Sequence, residues 1–215
     1  FAYKPLRGAS SLAVLITAIG VSYLLQNLAL PIWGSDPKNF TSVVSIPALD
    51  LHLAGGKIVI SSETVITIVS AAVIMVGLSL FVNHTKLGHA MLAVSEDKGA
   101  AQLMGVNVNS TIALTFAIGS ALAAVAGVLL CSAYPSLTPT TGAMPGIKAF
   151  TAAVFGGIGS IPGAMLGGVL LGIIEIMSKA YVSTQLADAI VFAVLIIVLL
   201  VRPTGLLGKP MNEKV

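Results

Sequence analysis

Few residues in this chain have the type and spacing to do chemistry. Its three histidines, His52, His84 and His89, do not share a helix face at metal-binding spacing, and no His-Glu-x-x-His run occurs. No Gly-x-x-x-x-Gly-Lys-Ser/Thr loop exists to cradle phosphates, so there is no ATP site of that type. Cys131 is the single cysteine and lies in an apolar run, where it reads as a small buried hydrophobe. No two carboxylates fall inside one apolar segment, which leaves an intramembrane enzyme little support. Three features remain as candidates for a translocation path. Glu175 is an acid in an apolar stretch, a functional candidate by default. It continues the Gly163–Gly167–Leu171 row and precedes Lys179 by four residues, so an ion pair at an interface is the competing reading. Gln26, with Ser22 one turn earlier, is a weaker candidate of the same kind. The run Gly156-Gly157-Ile158-Gly159-Ser160 breaks an apolar stretch, and its backbone could offer polar groups to a zwitterion. Against that, Gly159, Gly163 and Gly167 form one four-residue row, and Ala164, Gly168 and Gly172 form another. Such rows also serve plain helix–helix packing.

The elements that position these residues follow from composition. Of 215 residues, 56% are hydrophobic and 9% charged. A soluble domain carries about 25% charged residues to dress its surface. The solvent for most of this chain is therefore lipid, which excludes a soluble enzyme, a disordered chain and a nucleic-acid-binding domain. A spanning helix needs roughly 20 mostly apolar residues. Ala9–Leu30, Thr64–Val82, Thr111–Cys131 and the shorter Leu186–Val201 qualify. Between the last two, the apolar stretch Gly146–Lys179 is expected to form two pieces, Ile147–Phe155 and Pro162–Ser178, as a re-entrant hairpin or two tilted helices. The fold class is thus all-α: a polytopic transmembrane helical bundle with a Gly-rich broken helix pair.

Charge placement orients the spans. Lys4 and Arg7 precede the first span, Lys86 and Lys98 follow the second, and Arg202, Lys209 and Lys214 follow the last. By the positive-inside rule both termini and the 83–110 loop are expected in the cytoplasm, and residues 132–146 and 180–186 outside. The net charge of +3 is then a cytoplasmic-loop excess. In the outer loop, Gly55-Gly56 between two alternating runs predicts a β-hairpin. In the inner loop, Ser95–Gly105 predicts a short helix. Ser95 would cap it, Glu96 and Asp97 would occupy its first turn, and Gly105 would end it in the left-handed conformation. Ala100, Leu103 and Met104 would share one face, suited either to a partner's groove or to a solvated connector.

Three long, ordered motifs then carry a resemblance. They are Glu96-Asp97 through Val106-Asn107 with Ala113–Gly119, Gly146-Ile147-Lys148 through Pro162-Gly163-Ala164, and Val201-Arg202-Pro203-Thr204-Gly205-Leu206-Leu207-Gly208. Across nearly the whole chain the sequence resembles the branched-chain amino acid permeases of bacterial ATP-binding-cassette importers. The resemblance implies a permease subunit in the bacterial cytoplasmic membrane. Its partners would be a second permease, two ATP-binding subunits and an extracytoplasmic amino-acid-binding protein, with no cofactor of its own because ATP is bound in trans. It also implies that the loop helix docks on an ATPase, a role carried onto Glu96, Asp97, Ala100, Ala101 and Gly105. Family members have further spans before the Lys4–Arg7 region, so residues 1–215 are expected to be one permease domain incomplete at its N-terminus. A permease for another small amino acid or an amide such as urea, and a self-contained secondary transporter or channel, remain as alternatives. The latter would need coupled ionisable groups at the membrane midplane.

Overall fold

The computed structural model describes residues 11–40, 49–53 and 56–208. Lys4, Arg7, Lys209, Lys214 and the hairpin residues Ala54 and Gly55 lie outside the described residues. Among the described residues eight helices run in the order α1 (Ser11–Trp33), α2 (Ser62–His84), α3 (Lys86–Glu96), α4 (Lys98–Leu103), α5 (Val108–Ala133), α6 (Ala143–Gly156), α7 (Ile161–Tyr181) and α8 (Ala187–Val201). Strands β1 (Lys38–Asn39), β2 (Leu49–Leu53), β3 (Gly56–Ile60) and β4 (Ser136–Leu137) form two small antiparallel pairs. The chain is a polytopic helical membrane protein. Four helices, α1, α2, α5 and α7, are long and apolar enough to cross a bilayer. At 1.5 Å per residue α2 reaches about 34 Å, against roughly 30 Å of hydrocarbon.

Local chemistry sets the helix ends. Pro31 lies in the last turn of α1, and Gly34, at φ +84°, ends the helix, with its N–H bonding Leu30 O at 2.8 Å. Asn107 caps α5 by accepting from Ser110 N at 3.1 Å. The hairpin forms, but its register pairs Leu53 with Gly56, so Gly56 belongs to β3 and not to the turn.

The elements alternate between two ends of the bundle. β1 follows α1 and β4 follows α5, and the two pair, with Phe40 N donating to Pro135 O. The ends of α1 and α5 therefore lie together, opposite the α2–α3–α4–α5 connection. Helix α6 starts from the β4 end and α7 returns antiparallel to it, forming the closest helix pair of the fold. The stretch 146–179 thus forms two pieces that reverse direction, as expected. Its two pieces differ. Helix α7 is long enough to span, whereas α6, with 14 residues, reaches only about 21 Å at 1.5 Å per residue.

The described core lies in this second half. Ala152, Phe155, Leu171 and Val191 are buried together, and Ile174, Val194, Leu195, Val198 and Leu206 pack on them. In contrast, α2 buries no residue, α1 none over Ile16–Trp33, and α5 only Thr111 and Cys131 near its ends. Helix α1 has only marginal contact with the other helices. In lipid such faces cost nothing, because tails are as apolar as the side chains.

Candidate translocation and docking sites

The connection from α2 to α5 is an elbow of two short helices. Thr85 ends α2 in extended conformation and caps α3, accepting from Gly88 N at 3.0 Å. A Cβ at Gly88 would collide with the carbonyls of Phe81 and Val82, so only glycine lets α3 fold back this closely. Helix α4 then starts at Lys98, and its cap is Asp97. The Asp97 carboxylate accepts from Gly99 N at 2.8 Å and Ala100 N at 3.1 Å. This corrects the expected cap. Ser95 lies in the last turn of α3, where its hydroxyl donates to Leu92 O at 2.7 Å, and Glu96 ends that helix. The reason is local. A serine hydroxyl already bonded to its own preceding turn is not available to cap the next helix. A carboxylate in extended conformation meets two orphan N–H groups with charge-assisted bonds. Gly105 ends α4 at φ +86° as expected, and Val106 N bonds Ala101 O at 3.0 Å. Ala101 is buried and Ala100 exposed, while Leu103 and Met104 stand 90% and 84% exposed at the tip. The elbow therefore presents two large apolar side chains outward from a base anchored by Ala101.

The glycine break is bound into the protein. Gly157 has φ +109° and Gly159 φ +90°, and Ser160 caps α7 by accepting from Gly163 N at 3.1 Å. The segment after α8 lies across this turn. Leu206 N donates to Phe155 O at 3.0 Å and Leu207 N to Gly156 O at 2.9 Å, while Gly157 O accepts from Ser160 N at 3.1 Å. A Cβ on Gly157 would strike Gly208, and one on Gly205 would strike Gly157 and Val154 O. Gly156 and Gly157 are buried with their carbonyls bonded; Gly159 is exposed at the tip. The sequence reading missed this strap, although two leucines flanked by Gly205 and Gly208 after a span were a visible signal.

Small residues do two jobs on α7. Gly163 and Gly167 are buried against the backbone of Gly156 and Ala152. The neighbouring row is looser: a Cβ at Gly168 would touch only the Ala152 methyl at 3.8 Å, and one at Gly172 nothing within 4 Å. That second row floors a cavity of about 200 Å³ between α6, α7 and α8, with Lys148 and Glu175 at one end. Glu175 bonds Lys148 at 2.8 Å and Lys179 at 2.6 Å, and Lys148 also bonds Asp188 at 2.8 Å. The expected Glu175–Lys179 pair is present, and Lys148 and Asp188 complete it into a four-charge chain. Gln26 stands apart from all of this on α1, donating to Ser22 Oγ at 3.1 Å. Among the described residues, no group of three or more His, Cys, Asp or Glu could hold a metal.

Long apolar helices, a tightly packed glycine hairpin and a capped elbow between α2 and α5 define a multi-pass α-helical membrane protein. The chain belongs to the branched-chain amino acid transport system / permease component family, whose pattern matches residues 5–199. Over 214 residues it is 46% identical to the high-affinity branched-chain amino acid transport system permease protein LivH of Escherichia coli (strain K12), covering all of this chain and 70% of that one. It is 47% identical over 214 residues, with the same coverage, to the corresponding permease protein BraD of Pseudomonas aeruginosa. A probable branched-chain amino acid transport permease protein LivH of Methanocaldococcus jannaschii is 31% identical over 206 residues, 93% of this chain and 62% of that one. No solved structure matches the chain.

Proposed function

We propose that this chain is a membrane-path subunit of an ATP-binding-cassette importer for leucine, isoleucine and valine. It works with a second permease, two ATP-binding subunits and an extracytoplasmic amino-acid-binding protein. The chain itself carries no catalytic residue, and ATP is bound and hydrolysed by its partners. The observation that carries this reading is the match to branched-chain amino acid permeases along nearly the whole chain. The elbow supports it physically. Leu103 and Met104, exposed on a short capped helix, form an apolar tip suited to a groove on an ATP-binding subunit, with Glu96, Asp97, Ala100, Ala101 and Gly105 shaping that tip. Lys86, Lys98 and Arg202 lie on the elbow and after α8, which favours a cytoplasmic elbow and C-terminus and an outer face made by the β-pairs. The extensive lipid-type faces of α1, α2 and α5 leave room for the second permease.

The test is ATP-dependent uptake by the chain co-expressed with its partner subunits. Labelled leucine should accumulate. Leu103→Asp with Met104→Asp should reduce uptake at least about tenfold and release the ATP-binding subunit on purification, because a buried charge at an interface centre costs several kcal/mol. Uptake that survives removal of Lys98–Leu103 would sink the docking role. Uptake of urea in place of leucine would move the assignment to another solute.

A further inference from the structure

We propose that the cavity between α6, α7 and α8 is a binding site for the amino-acid zwitterion on its way through the membrane. Lys148 would take the carboxylate, Glu175 the ammonium, and the Gly168–Gly172 floor the side chain. The inference rests on the import reading above and deepens it. Four observations carry it. The cavity, at about 200 Å³, is below the roughly 300–1,000 Å³ of drug-sized sites and suits a smaller solute. It has one charged end, with Lys148 and Glu175, while Leu171, Val191 and the two glycines make most of the remainder apolar, and the Thr151 hydroxyl in the lining is spent on Lys148 O at 2.8 Å. That is the division of a branched-chain amino acid.

The third observation concerns the ion chain. Lys148 and Glu175 bond each other at 2.8 Å, yet each has a second partner, Asp188 for Lys148 and Lys179 for Glu175. A zwitterion can therefore part the central pair without stranding either ion. One ion pair is exchanged for two, the four side chains sum to zero charge, and the ligand adds none. A pair lacking those outer partners would leave each ion dependent on the ligand alone, at the high cost of an uncompensated charge. Fourth, no described residue packs on the glycine floor at Gly172. Gly163 and Gly167 meet backbone, whereas Gly172 would carry a Cβ with nothing within 4 Å. Open space beside a helical glycine, at the foot of a salt bridge, is room for a ligand side chain.

Gly172→Ala is the deciding variant. The methyl group enters the cavity without meeting protein, and alanine favours the helix, so assembly should be unchanged. Measured in the assembled importer, the leucine-over-valine preference in kcat/KM should fall about tenfold, the scale of one methylene in an apolar pocket. Glu175→Gln should raise KM for both substrates about tenfold with the ATP-binding subunits still attached; should that variant fail to assemble, Gly172→Ala still decides. An unchanged leucine-over-valine preference in Gly172→Ala, in an importer that takes up leucine, overturns the site and leaves the import reading standing. An assembled wild-type complex that imports no branched-chain amino acid overturns both.

Discussion

The chain reverses direction at two places that solve the same problem in opposite ways. At the elbow, side chains terminate the helices: Thr85, Asp97 and Asn107 each accept from backbone N–H groups of the helix they start. At the α6–α7 turn, Ser160 caps the new helix, but the old helix is finished by backbone, with Leu206 and Leu207 donating to Phe155 and Gly156 carbonyls. The elbow keeps Leu103 and Met104 in the open, whereas the turn buries Gly156, Gly157 and Gly163. A polar cap is self-contained and leaves the surface free for a partner. A backbone strap needs glycines to bring two chains together, and it yields a rigid, closed end. The second arrangement suits a membrane protein's interior, where each unbonded carbonyl costs several kcal/mol and water does not drive helices together.

The sharpest way to break this contrast is to put a side chain where backbone meets backbone. Gly156→Leu should cost about 3 kcal/mol or more through overpacking against the Gly163 carbonyl. No monodisperse protein should then be recovered in detergent, and normal recovery would refute the close packing. Next, ending the chain at Pro203 removes the strap and frees the Phe155 and Gly156 carbonyls, a loss of roughly 1–3 kcal/mol for each group left unsatisfied. The thermal midpoint should drop, and hydrogen exchange should rise at Gly157 and Ser160 but not at Ala100. Asp97→Ala should cost about 1 kcal/mol as a lost helix cap. Its increased exchange should be confined to Gly99 and Ala100, with coupled uptake reduced. Smallest of all, Ser95→Ala should stay within about 0.5 kcal/mol, because its hydroxyl caps nothing. A loss equal to that of Asp97→Ala would return the cap to Ser95.

Much of the fold was legible along the chain. Apolar length located α1, α2, α5 and α8 to within a few residues, and Pro162 beside a glycine run marked the start of α7. The hairpin was legible from its alternation, though its register was not, because Gly55 and Gly56 are interchangeable as turn residues on sequence alone. The candidate sites were legible only where partners are close in sequence. Glu175 with Lys179 is one turn of helix. Lys148, 27 residues away from Glu175, joins them only through the α6–α7 packing, and Asp188 only through α8. The elbow shows the same limit at short range. Ser95 and Asp97 are both good cap residues by type, and the choice fell to which one the preceding turn of α3 had already used.

Sequence by itself determined that this protein lives in lipid, where its helices lie and which residues could end them. Those properties depend on composition and on contacts within about one helical turn. Only the tertiary structure decided that one glycine row is a packing surface while its neighbour floors a cavity. The two rows share small residues at the same spacing, but one faces the backbone of α6 and the other faces space beneath Lys148 and Glu175. Likewise, a strap after α8 became the cap of α6 because a second reversal, between α7 and α8, brings the C-terminal ends of α6 and α8 to one side of the bundle. A helix's own sequence cannot specify that.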